Sequence, residues 1–96
     1  MDRVLKIDPK DNVATCLAEF AEGARVEIAD GAGQLSVRLH SAIPFGHKFA
    51  LTDIAAGDPV LKYGVVVGRA TKAIVVGEHV HLHNIESNRG RGDRAK

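Results

Sequence analysis

Three histidines fall at alternate positions in Gly77-Glu78-His79-Val80-His81-Leu82-His83-Asn84, and alternate side chains of an extended strand point to the same side. At ~3.3 Å per residue, rings two positions apart stand roughly 6.6 Å apart, too wide for three of them to close on one ion without a bend or a fourth group. The row is therefore either a half-built ligand site or a wet strand face. The second reading explains the pattern simply, because Val80 and Leu82 alternate with the histidines and are expected to enter the core. Against it, Thr, Lys or Glu would serve a merely solvated face better, so the balance favours contact with a ligand or a metal ion at His79, His81 and His83. Imidazoles suit Zn, Fe, Mn or Ni; Glu78 points away from His79 in a regular strand and adds no carboxylate to the set.

A second group of chemically capable residues lies in Ile43-Pro44-Phe45-Gly46-His47-Lys48-Phe49-Ala50-Leu51, and Lys62-Tyr63-Gly64 links it to the histidine row. Gly46 can let the backbone approach a ligand closely, while His47 offers a titratable ring and Lys48 a positive charge suited to a carboxylate. That combination invites a small, anionic, oxygen-rich molecule. The plain alternatives are a turn histidine at His47, solvated charges at Lys48 and Lys62, and simple packing for Tyr63. Cys16 stands alone in an apolar stretch, so it forms no intrachain disulfide and reads as a small buried hydrophobe. There is no P-loop, no dinucleotide fingerprint, no paired-cysteine zinc signature and no nucleophile elbow. An autonomous catalyst is hard to assemble from such a chain.

The elements that must position these groups are short. The 96 residues make one domain with a modest core. Its 13 Lys and Arg against 12 Asp and Glu give a net charge of +1, without the basic footprint of a nucleic-acid binder. Apolar runs such as Val65-Val66-Val67 and Ala73-Ile74-Val75-Val76 are far below the roughly 20 residues of a membrane-spanning helix. No export signal is apparent, and a cytoplasmic protein is expected.

Val- and Ile-rich runs punctuated by glycine turns predict an all-β fold, or a mainly β fold with one short helix. Strands are expected near Arg3 to Ile7, Asn12 to Phe20, Arg25 to Ala29, Leu35 to Leu39, Phe49 to Leu51, Val65 to Ala70 and His79 to Asn84. Asn12 to Phe20 also fits a capped helix, since Val13, Cys16, Leu17 and Phe20 would share one face. A weak repeat runs through Phe20/Gly23/Val26, Ile54/Gly57/Val60 and Ile74/Gly77/Val80, each read as a glycine turn between core residues. Asp30-Gly31 with Gly33 marks a hairpin turn. The domain is placed at residues 1–85; residues 86–96, polar and glycine-bearing, read as a disordered tail.

The same two clusters carry a resemblance. The motifs Gly46-His47-Lys48, Lys62-Tyr63-Gly64 and His79-x-His81-x-His83-Asn84, with Gly57, Gly68 and Asp11-Asn12-Val13-Ala14, are similar to the small N-terminal domain of altronate and galactarate dehydratases. They also resemble the separately encoded small subunit of sulfolactate sulfo-lyase. The resemblance implies a β-clip, SAF-like domain that completes the active site of a separate large catalytic subunit. The implied reaction is β-elimination from a sugar acid or a sulfonated hydroxy acid, assisted by a divalent metal, Fe(II) or Mn(II). It implies His79, His81 and His83 near the metal, His47, Lys48 and Lys62 in catalysis, and Gly46, Lys48, Tyr63 and Asn84 against substrate. The same residues would also serve a free-standing sugar-acid or anion-binding module that does no chemistry.

Overall fold

The computed structural model describes residues 3–6, 8–29 and 33–87. These described residues form nine short strands: β1 (Val4–Leu5), β2 (Val13–Cys16), β3 (Arg25–Ala29), β4 (Gln34–Arg38), β5 (Lys48–Ala50), β6 (Pro59–Lys62), β7 (Val65–Ala70), β8 (His79–Val80) and β9 (Ile85–Ser87). All pair antiparallel, in three sheets ordered β1-β2-β5-β8, β3-β4 and β6-β7-β9. The 12–20 segment is strand, not helix, over Val13–Cys16. No helix among the described residues is long and apolar enough to cross a membrane.

The four-stranded sheet is apolar on both faces. Directly opposed residues of an antiparallel pair project to the same side. Ala14 faces Phe49 across the β2–β5 ladder, and both join a core with Cys16, Val26, Ile28, Val37, Leu39 and Ile43. The next pair, Val13 and Ala50, projects to the other side, into a core with Ile54, Val60, Ala70, Ile74 and Val80. This explains why β2 is buried at every position and shows none of the polar alternation of a half-solvated strand.

The glycine repeat has four copies, not three. Ile43/Gly46/Phe49 joins the series, hidden from a Val-based pattern because Phe49 stands where the other copies have Val. The four glycines share φ of +85, +86, +90 and +91. In each copy the amide after the glycine bonds three residues back: Ala24 to Ala21, His47 to Pro44, Asp58 to Ala55, and Glu78 to Val75. Copies one and two are bridged at Phe20 and Ile43, copies three and four at Ile54 and Ile74. At Gly77 a side chain is excluded twice over, by the positive φ and because a Cβ would collide with the Arg38 carbonyl.

Three expectations change. Only His79–Val80 of the histidine segment is strand; the chain then turns, and β9 begins at Ile85. Leu82 therefore leaves the alternation and is 77% exposed, whereas Val80 is fully buried. Ile85, Glu86 and Ser87 pair with Ala70, Arg69 and Gly68, so ordered structure runs two residues into the stretch read as tail. Residues 88–96 of that stretch, Ile7 and the 30–32 turn lie outside the described residues.

Val80→Asp should destabilise the fold by about 3 kcal/mol or more, as a carboxylate forced into a closed apolar core, while Leu82→Asp should stay within about 0.5 kcal/mol of the parent. Urea unfolding of the two variants checks the assignment; equal losses would put Leu82 back in the core.

Candidate metal and anion site

His47 and His79 are 32 residues apart and meet because the fourth glycine turn docks on β5. The Gly77 amide donates to the Ala50 carbonyl at 2.8 Å, and the Ala50 amide donates to Glu78 at 2.9 Å. That docking sets the β5–β8 register, with Lys48 opposite Val80 and Phe49 opposite His79. His47, just before β5, is anchored through its own carbonyl, which accepts the Cys16 amide at 2.8 Å.

The bend that the alternating row needs is supplied after Val80. Asn84 Oδ1 accepts the His81 amide at 3.0 Å, and Asn84 Nδ2 donates to the His79 carbonyl at 2.8 Å. Further bonds from the Asn84 and Ile85 amides to the His81 carbonyl, both 3.1 Å, close the turn. A short polar side chain thus offers the backbone an alternative to continuing the strand. Asn84, expected against substrate, is 2% exposed with both ends of its amide used inside this turn. It shapes the site from behind.

The result is a stack of imidazoles. His47 lies 4.0 Å from His81 and 5.0 Å from His79, ring centre to ring centre, in nearly parallel planes. His83 is tilted against His79 at 5.2 Å and is more exposed. Nδ1 of His47 and Nε2 of His79 are 2.8 Å apart, sharing one proton as donor and acceptor. His47, His79 and His81 each present a nitrogen, no two more than 4.8 Å apart. Two imidazoles on one ion at bonds of ~2.1 Å have nitrogens about 3.0–3.4 Å apart, so His47 and His79 already stand close to that spacing. The set that suits a divalent ion is therefore His47, His79 and His81, with His83 at its rim. His47 is the fourth group that spacing along the chain could not supply.

Electrostatics also favour the neutral, ligating form of His79 and His81. His79 is held below the ordinary value of 6.5 by burial first, then by His47, His83, His81 and Lys48. His81 is lowered by burial, then by His47, Lys48 and His83. Lys48, half-buried, has its pKa lowered by burial and by the positive charge of Lys62. Lys62 Nζ rests over the Tyr63 ring at 4.9 Å from its centre. Lys48 and Lys62 thus join the histidines in one cationic region. Gly46 is the exposed glycine of the second turn, with open space above it. Burial pushes the Cys16 thiol up to about 11, as suits a core residue.

Asp11 and Asn12 carry structural work that their sequence position did not reveal. Asp11, 6% exposed, accepts the Tyr63 amide on Oδ2 at 3.0 Å and the Gly64 amide on Oδ1 at 2.8 Å. Asn12 accepts the Leu61 amide at 2.8 Å and donates to the Pro59 carbonyl at 3.0 Å. The start of β2 thereby fastens the β6–β7 hairpin, and with it Lys62, to the central sheet. The only hint along the chain was the residue types, two short side chains able to bond backbone.

A family model described as the altronate/galactarate dehydratase SAF domain matches residues 2–88. Altronate dehydratase of Escherichia coli is 46% identical over 84 residues, 88% of this chain and 16% of that protein. Subunit alpha of (2R)-sulfolactate sulfo-lyase from Chromohalobacter salexigens is 36% identical over 85 residues, 85% of this chain and 90% of that subunit. Galactarate dehydratase (L-threo-forming) of E. coli is 36% identical over 76 residues, 79% of this chain and 14% of that protein. The chain thus spans about a sixth of the dehydratases it matches and most of the sulfo-lyase subunit.

The depressed histidine pKa values predict a pH dependence. A ring whose folded pKa lies below its unfolded value of 6.5 binds protons more readily once unfolded, so stability is unaffected above that pH and falls as pH drops through and below it. Thermal unfolding should show Tm level from about pH 8 to 7 and declining toward about pH 5, with a shallower decline in His79→Gln. An identical slope in that variant would remove His79 from the cause.

Proposed function

The chain belongs to the altronate/galactarate dehydratase SAF-domain family, and from that membership we propose that it is the small component of a lyase, completing an active site together with a large catalytic chain. The reaction is β-elimination: a proton leaves the carbon next to a carboxylate, and hydroxide or sulfite departs from the neighbouring carbon. Its substrate is a sugar acid such as altronate or galactarate, or sulfolactate. The observation that carries this reading is the meeting of His47, His79 and His81 with Lys48 at one end of the β5–β8 pair.

The donor set fits a divalent ion such as Fe(II) or Mn(II): three imidazoles, two of them, His79 and His81, disposed toward the neutral form, with a pair already near ligand spacing. When bound there, such an ion supplies stabilisation for the negative charge that develops as the proton leaves. Lys62 holds the substrate carboxylate. Lys48, its pKa lowered by burial and by Lys62, is the residue best tuned to take the proton. Tyr63 borders the same anion-holding region, and His83 stands at the rim, placed to contact substrate.

Elimination from altronate, galactarate and sulfolactate is to be measured for a large lyase chain of this family with and without this one, in Fe(II) or Mn(II). Turnover should require both chains. Equal turnover by the large chain alone would end the reading and leave an anion-binding module. In parallel, Co(II) titration of this chain should show one site, weakened by at least about 100-fold in His47→Ala and in His79→Ala; unchanged affinity in His47→Ala would return the ligand set to the C-terminal row.

A further inference from the structure

The turn between β6 and β7 holds a residue that its backbone disfavours. Tyr63 and Gly64 are the two central residues of a tight hairpin, flanked by the Lys62–Val65 pair, and their φ angles are +58 and +77. A two-residue loop with both angles positive is the geometry that selects Asn-Gly or Gly-Gly. For other L residues the Cβ crowds the backbone, and Tyr63 is the one non-glycine residue at positive φ among those described. Packing does not account for the tyrosine, since it is 50% exposed. The turn itself is fixed from elsewhere, by the two amide bonds to the buried Asp11 carboxylate. An asparagine at this position would satisfy every one of those constraints with less strain.

What an asparagine would not supply is the aromatic face. Lys62 Nζ lies 4.9 Å from the centre of that ring, within the range in which a cation is attracted to the ring's negative face. Lys62 precedes the turn on β6, which Asn12 clamps at Leu61 to the start of β2, and β2 carries Thr15 directly opposite Lys48. A long ammonium side chain that would otherwise sample many rotamers is given one resting place on the ring.

We infer that Tyr63 is kept at this strained turn as a positioning residue: its ring is the platform that holds the Lys62 ammonium ready for a carboxylate or sulfonate. The inference rests on the proposal that Lys62 holds the anionic end of the substrate. Backbone strain held in place by surrounding structure at a site is expected where geometry serves binding. Tyr63 therefore costs stability and serves placement, and the two effects separate by substitution.

Three variants, Tyr63→Asn, Tyr63→Phe and Lys62→Met, are to be compared with the parent chain by thermal unfolding and by NMR titration with inorganic sulfate as the probe. Tyr63→Asn should raise Tm by several degrees, on the order of 4–8 °C for a domain of this size. It should also abolish the upfield ring-current shift of the Lys62 methylene protons next to Nζ and weaken sulfate binding at least about threefold. Tyr63→Phe, which keeps the ring, should restore most of that binding and the ring-current shift. Tyr63→Asn with sulfate affinity intact would overturn the platform role, as would Tyr63→Phe losing as much as Tyr63→Asn, because the hydroxyl would then be the active part. A distinct outcome, sulfate binding indifferent to Lys62→Met, would overturn the anion-site proposal itself. If Tyr63→Asn failed to fold, the absence of a ring-current shift in the parent chain would decide against the platform by itself.

Discussion

Ala50 is the hinge of the arrangement. Its carbonyl accepts the Gly77 amide and its amide donates to the Glu78 carbonyl, so one residue at the end of β5 fixes where the fourth glycine turn lands. From that landing follow the β5–β8 register, the meeting of His47 with His79, and the start of the bend that folds His81 back toward them. Ala50 is fully buried, so a larger side chain there would have to displace its core neighbours. Gly77, for its part, lies against the Arg38 carbonyl. Two small residues are thus required at the contact that assembles the site, and the chemically interesting groups hang from its periphery.

The legible part of the fold came from local pattern. Arg25–Ala29 and Val65–Ala70 are strands at the bounds their Val and Ile content suggests, and the glycine spacing marked turns that do exist. What stayed hidden depends on distant partners. β6 opens on a proline, tolerated because it is an edge strand, and its four residues carry little periodicity. The histidine row looked like a strand because alternation is a local signal. Asn84, which stops the strand by bonding backward to His79 and His81, acts through geometry that spacing does not encode. His47 and Lys48 were visible as capable residues, but that His47 belongs with the ring set follows only from the pairing of copies two and four of the turn.

The charge pattern of the site has a simple physical meaning. The influences on Lys48, His79 and His81 are burial and neighbouring cations, and each disfavours the protonated state. A region that holds several basic groups close together, partly removed from water, is under electrostatic tension that an anion or a shared metal–anion pair relieves. The tension is tolerable because the central sheet beneath is apolar on both faces and contributes stability that does not depend on the state of the rings.

That sheet has one more implication. Because Val13 and Ala50 line one apolar layer while Ala14 and Phe49 line the other, a single strand pair serves as the common wall of two compartments. Parting β2 from β5 exposes both compartments at once. The domain should therefore melt as one cooperative unit despite its three separate sheets, and its slowest-exchanging amides belong to the middle of the wall, far from the tips where ligands come and go.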